Sequence, residues 1–177
     1  NRQENLPGRI QCPNRKPECG LVGAWVIDKT TLIGIKAKDP SQVMIMNLQE
    51  ETWKVSITKY PLIDTHLIEP QSLRVRDSYI YLLARETWRL VRAPLNELLE
   101  GSGQNLQFEV VADLSFLHAL FPHPNKKMDQ AGYLESFDWG PNGNLWVLIN
   151  PRGQDFSYSP DGDPKTAKLI EFEAIKP

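Results

Sequence analysis

From Leu21 onward the chain runs as short stretches in which apolar residues alternate with polar ones or stand together, each bounded by Gly, Pro, Asn, Asp or Ser. That is the signature of pleated strands, whose successive side chains point to opposite faces. LVGAWVID, TLIGIKAK, QVMIMNL and TWKVSI make a first group; SLRVRD, SYIYLLAR, TWRLVRAP and LQFEVVADL make a second. LESFDWGP, NLWVLIN and AKLIEFEA make a third, one strand shorter. All are rich in Val, Ile, Thr or Trp, shapes that pack well on a pleated surface. In each group a turn joins the first strand to a strongly apolar second strand: Asp28 to Thr31, Asp77-Ser78, and Gly140-Pro141-Asn142-Gly143. The third contains Asn-Gly, which supplies the positive φ of a tight reversal. Two inserts read as short helices. PLNELLEG (94–101) has Pro near its first turn and Gly101 at its end. DLSFLHALFP has Asp113 or Ser115 as a cap and puts Leu114, Leu117, Leu120 and Phe121 on one side.

One four-stranded sheet cannot cover both of its own faces, so sheets that recur in tandem must stack. The spacing of the groups, about 50 and then about 65 residues, matches antiparallel repeats of this kind. The pattern therefore predicts an all-β fold of propeller-like four-stranded blades, about three of them, near residues 20–60, 61–115 and 131–177. A Pro-rich, aperiodic stretch over 1–19 reads as an extended arm. Three blades do not close a ring without severe wedge angles, and an open stack leaves edges unpaired. The ring is thus expected to be larger, completed by a longer polypeptide, another protein chain or a second copy, two copies giving six blades. The alternative is a self-contained sandwich or irregular barrel of about eleven strands.

Composition narrows the classes. The chain has 177 residues, a formal charge of −2 and a pI of about 6.0, which gives no net field toward nucleic acid or anionic membrane. No apolar run approaches the ~20 residues of a membrane-spanning helix. Cys12 and Cys19 bracket CPNRKPEC, with no His pair beside them to complete a zinc site. A disulfide closing that loop is expected, free thiols being the other state. With a disulfide goes an extracytoplasmic location, secreted or periplasmic. The start at Asn1 without an apolar leader reads as an exported chain after cleavage or as a piece of a longer one.

The sharpest candidate for chemistry is Glu135 with Asp138 and Asn150, oxygen donors at strand ends that could gather a hard cation such as Ca²⁺. Glu135 and Asp138 read equally as solvent-facing residues alternating with Leu134, Phe137 and Trp139. The polar stretch from Asn150 to Thr166 holds Arg152, Asp161 and Asp163 and reads first as an exposed connection, with a binding lip for a partner protein or small-molecule ligand as the functional alternative. Its Asp-Gly-Asp lacks the further ligands of a calcium-binding loop. His118 and His123 flank Phe121-Pro122 without any zinc-type spacing, and His66 stands apart. No nucleophile elbow or phosphate-binding Gly loop is present, so no catalytic residue is assigned. Arg74, Arg76, Arg85, Arg89 and Arg92 alternate with apolar residues, and Glu86 and Glu97 are the expected partners for surface ion pairs.

LESFDWGPNGNLWVLIN, with the polar loop and AKLIEFEA after it, resembles a blade of the phytase-like esterase and SMP-30 gluconolactonase type of propeller. SLRVRDSYIYLLARETWRLVRAPL is similar to the matching part of another such blade. In the calcium-dependent lactonases of that group, a Glu, an Asn and an Asp at the central channel bind the metal; Glu135 and Asn150 match such positions, and a complete set is not found. Two functions follow as expectations. The first is a propeller-type binding or interaction module completed by another chain or a second copy. The alternative is a divalent-cation-dependent hydrolase of the lactonase or esterase type.

Overall fold

The computed structural model describes residues 21–37, 41–49, 51–52, 54–62, 69–101, 106–117, 133–150 and 167–173. Cys12, Cys19, Arg152, Asp161 and Asp163 lie outside these residues, as do the arm over 1–19, Trp53 and the three histidines. The described strands form three separate antiparallel sheets, each a simple meander. Blade I contains β1 (Leu21–Val26), β2 (Thr31–Lys36), β3 (Gln42–Gln49) and β4 (Lys54–Pro61). Blade II contains β5 (Pro70–Arg76), β6 (Tyr79–Ala84), β7 (Arg89–Pro94) and β8 (Glu109–Asp113). Blade III contains β9 (Tyr133–Trp139), β10 (Leu145–Asn150) and β11 (Lys168–Phe172). The fold is all-β and propeller-like, not one continuous closed sheet.

The turns follow from their residues. Asp28 accepts the backbone N–H groups of Thr30 and Thr31, both at 2.8 Å, and these bonds, the one from Thr30 foremost, hold its carboxyl below the ordinary carboxylate range. Asp77 (φ 49°) and Ser78 (φ 65°) make a two-residue reversal with both residues in the left-handed region. At the third turn only Gly143 is left-handed, at φ 80°, and Gly140 N–H donates to Asn144 at 2.8 Å. Between β6 and β7 the reversal extends further than the sequence pattern predicts. Thr87 and Trp88 belong to the turn, with Trp88 at φ 54° and nonetheless buried, so β7 begins at Arg89. The helix α1 (Leu95–Glu100) forms where expected, with Leu98 buried. After β8, Asp113 accepts the N–H of Ser115, and Leu114 and Leu117 are buried; the rest of the second expected helix lies outside the described residues.

Packing explains why the sheets must stack. In β6, Ile80, Leu82 and Ala84 join a core shared with Ile33, Ile35, Val43 and Ile45 of blade I. Tyr81 and Leu83 face the other way, into a core with Leu134, Phe137, Val147 and Ile149 of blade III. Strand periodicity sends alternate residues to opposite faces, so an apolar run such as YIYLLA demands cover on both sides. Blade II has it.

Candidate inner-strand site

The strand that opens each blade lies at one edge of its sheet, and β5 packs beside both β1 and β9. These three strands form the inner side of the stack. Each carries one extra residue near its start: Val22 in β1, Gln71 in β5 and Glu135 in β9, read from the register shifts opposite β2, β6 and β10. The residue after each bulge is Gly23, Ser72 or Ser136, and two positions further stand Trp25, Arg74 and Asp138. The three blades therefore place these residues at equivalent levels.

The first level is one of close approach. A Cβ on Gly23 would lie 3.4 Å from the backbone nitrogen of Leu73 and 3.2 Å from Ile35, so glycine lets β1 sit against β5. Between β5 and β9, the Ser72 and Ser136 hydroxyls stand 3.4 Å apart. At the second level Arg74 joins all three strands. Its Nε donates to Asp138 at 3.1 Å and its Nη1 donates to the Leu73 carbonyl at 2.8 Å. Its guanidinium lies 5.6 Å from the ring centre of Trp25 and 5.9 Å from that of Phe137. A planar cation with five donors can meet a carboxylate edge-on while its flat face lies on an aromatic ring.

Beside this hub the arginines of blade II form further pairs. Arg76 donates to Asp77 and lies 5.3 Å from the Trp139 ring, which meets Tyr81 edge-on at 4.5 Å. Arg92 lies 4.5 Å from the Tyr79 ring, and its hydrogen bonds to Glu109 and then Tyr81 raise its pKa above the ordinary arginine value. Arg89 pairs with Asp113, whose carboxyl is held low by Ser115 first and by Arg89 after it. Arg85 lies 4.0 Å from Glu69. Ion pairing is thus the use of these arginines, as expected, and the pairs found are Asp138, Asp77, Glu109, Asp113 and Glu69. Cross-strand register sets two of them: Arg92 stands opposite Glu109 and Arg89 opposite Asp113.

The expected site residues are split. Asp138 belongs to the arginine hub, in one cross-strand row with Trp146 and Glu171. Glu135 and Asn150 lie at the opposite end of blade III, Asn150 pairing with Tyr133. Among the described residues no group of three His, Cys, Asp or Glu side chains converges. A pocket of about 210 Å³ lies beside the inner edge of blade III, lined by Arg74 of blade II and by Ser136, Phe137, Asp138, Trp146, Leu148 and Leu169 of blade III. Arg74 and Trp25 were not singled out as a pair by the sequence; the signal was their shared offset from the start of the first strand of each group.

No family model matches the chain, and no curated protein matches it in sequence. Among solved structures, it is similar to a candidate 6-phosphogluconolactonase from Bacteroides fragilis, with 12% identity over 87% of this chain and 44% of that one, at a TM-score of 0.47. A second candidate 6-phosphogluconolactonase, from Bacteroides uniformis, shares 9% identity over 88% of this chain and 43% of the other, at a TM-score of 0.42. The chain spans less than half the length of either. Likeness at this level assigns no activity; the blades are defined by their own sheets, registers and cores.

Proposed function

We propose that the chain is a propeller-type interaction module, three blades whose two end faces receive further blades from outside the stack. The carrying observation is the outer face of blade I. Val26, Leu32, Met46 and Ile57 form one apolar cross-strand row there, with Leu48 and Val55 in the next. Val26 is 66% exposed and Val55 47%, while the three residues beside Val26 in its row are only half-buried. A sheet face of this composition matches the faces that blade II buries, and apolar patches of this kind mark contact surfaces. The experiment is sedimentation velocity from low to high micromolar concentration, together with binding of an apolar fluorescent dye. Association, or dye binding that Val26→Asp reduces, is the expected result. A chain that stays monomeric and binds no dye would overturn the reading.

The alternative, a divalent-cation-dependent hydrolase, draws on the one end of blade III that Glu135 and Asn150 share. Its test is thermal melting with and without Ca²⁺, since a cation bound by the native state alone raises the melting temperature. A rise that Glu135→Gln removes would support it; no rise at millimolar Ca²⁺ would count against it.

A further inference from the structure

The two end faces are unlike in relief and in charge. On blade I, Val26 is the most exposed residue of an apolar face; in the next row Gly34 and Met44 are already buried, and the row ends in exposed Lys59. On blade III, Trp146, Leu148 and Leu169 line the pocket of about 210 Å³ together with Arg74 and Asp138, which pair with each other, and Glu171 stands next to Trp146 in the same cross-strand row. Lys59 and Glu171 both lie away from the inner strands, in β4 and β11.

We infer that the blades received at both ends are those of a second copy of this chain, blade I of each copy seated on blade III of the other. The inference rests on the interaction-module reading. Like-on-like pairing sets Lys59 near Lys59 or Glu171 near Glu171, whereas unlike pairing brings lysine toward glutamate and a protruding valine toward a hollow. The inner strands point the same way. Trp25, Arg74 and Asp138 follow one another at one level from blade I to blade III, and a second copy continues that order with its own Trp25 beside Asp138. A contact between different surfaces closes only if the rotation closes. Two copies close through two equal contacts and give six blades, which covers the exposed parts of both end faces at once.

The test is native mass and sedimentation of Val26→Asp, Leu169→Asp and their equimolar mixture, with near-ultraviolet circular dichroism confirming that each variant keeps its fold. Wild type is expected to form a particle of two chains, and each variant alone to dissociate at least tenfold more readily. The mixture is expected to form a mixed pair held by one intact contact, blade III of the first variant on blade I of the second, while the other contact carries both aspartates; each variant alone has no intact contact. Val26→Lys is expected to weaken the pair less than Val26→Asp, since the charge of the opposing strands outside the Arg74–Asp138 ion pair is, among the described residues, the carboxylate of Glu171. A particle of any other stoichiometry, single variants that leave the pair intact, a mixture without recovery, or lysine as harmful as aspartate would overturn the inference. So would a wild-type monomer that still binds dye through its end faces, an outcome that leaves the module reading standing. A monomer that binds no dye removes the module reading itself.

Discussion

Leu82 and Leu83 are neighbours in β6, both wholly buried, and they enter different cores: Leu82 packs toward blade I and Leu83 toward blade III. In a sheet with one wet face, one of two consecutive residues would be exposed and cheap to truncate. Leu→Ala removes three carbon groups, roughly 2.4 kcal/mol of transfer free energy at ~0.8 kcal/mol each. The cavity left behind adds roughly 24 cal/mol per Å³, bringing each substitution to about 3–5 kcal/mol. That is a large part of a typical domain stability of ~5–15 kcal/mol. Urea unfolding of Leu82→Ala and Leu83→Ala should therefore give losses of similar size. Val110→Ala, at a position 42% exposed, should stay within about 0.5 kcal/mol of wild type. A loss under about 1 kcal/mol at either leucine would refute double-sided burial of the middle blade.

Two further outcomes concern the hairpins. Ser78 holds φ 65° in the turn between β5 and β6, where a side chain costs about 1–2 kcal/mol that glycine does not, so Ser78→Gly is expected to raise stability by roughly 0.5–1 kcal/mol in the same assay. Asp113 has its carboxyl pKa lowered in the folded state by Ser115 and Arg89. Its contribution is present above the unfolded value of 3.8 and is lost as pH falls through the lower folded value, because the unfolded chain then binds the proton first. Melting temperature followed below pH 4 should fall less steeply in Asp113→Asn than in wild type; identical slopes would exclude the linkage.

The blades were legible because the apolar pattern has period two and because turn residues separate the strands. YIYLLA announces a strand covered on both faces, and Asp28, Asp77-Ser78 and Gly140 to Gly143 mark the reversals where they occur. Trp88 was harder, because a large apolar residue beside a run of apolar positions reads as strand, yet its indole is buried from within a turn at φ 54°. The partners of the arginines were also hidden. Arg74 meets Asp138 across 64 residues, a pairing set by which strands lie innermost. Periodicity is a local property and carries no information on that. Glu135 and Asp138, three apart in sequence, look like one cluster on paper; the bulge and the extended strand carry them to different ends of blade III.

The stack requires β5 and β9 to lie side by side at the inner edge of separate sheets, and a cross-link reports on this directly. With Cys12 and Cys19 replaced by serine, Ser72→Cys and Ser136→Cys occupy positions whose hydroxyls stand 3.4 Å apart, within reach of disulfide geometry. Mild oxidation of the folded double variant should join residues 72 and 136 in nearly every molecule, read by peptide mass mapping. Failure of that bond to form while the native circular dichroism persists would contradict the stacking of blades II and III.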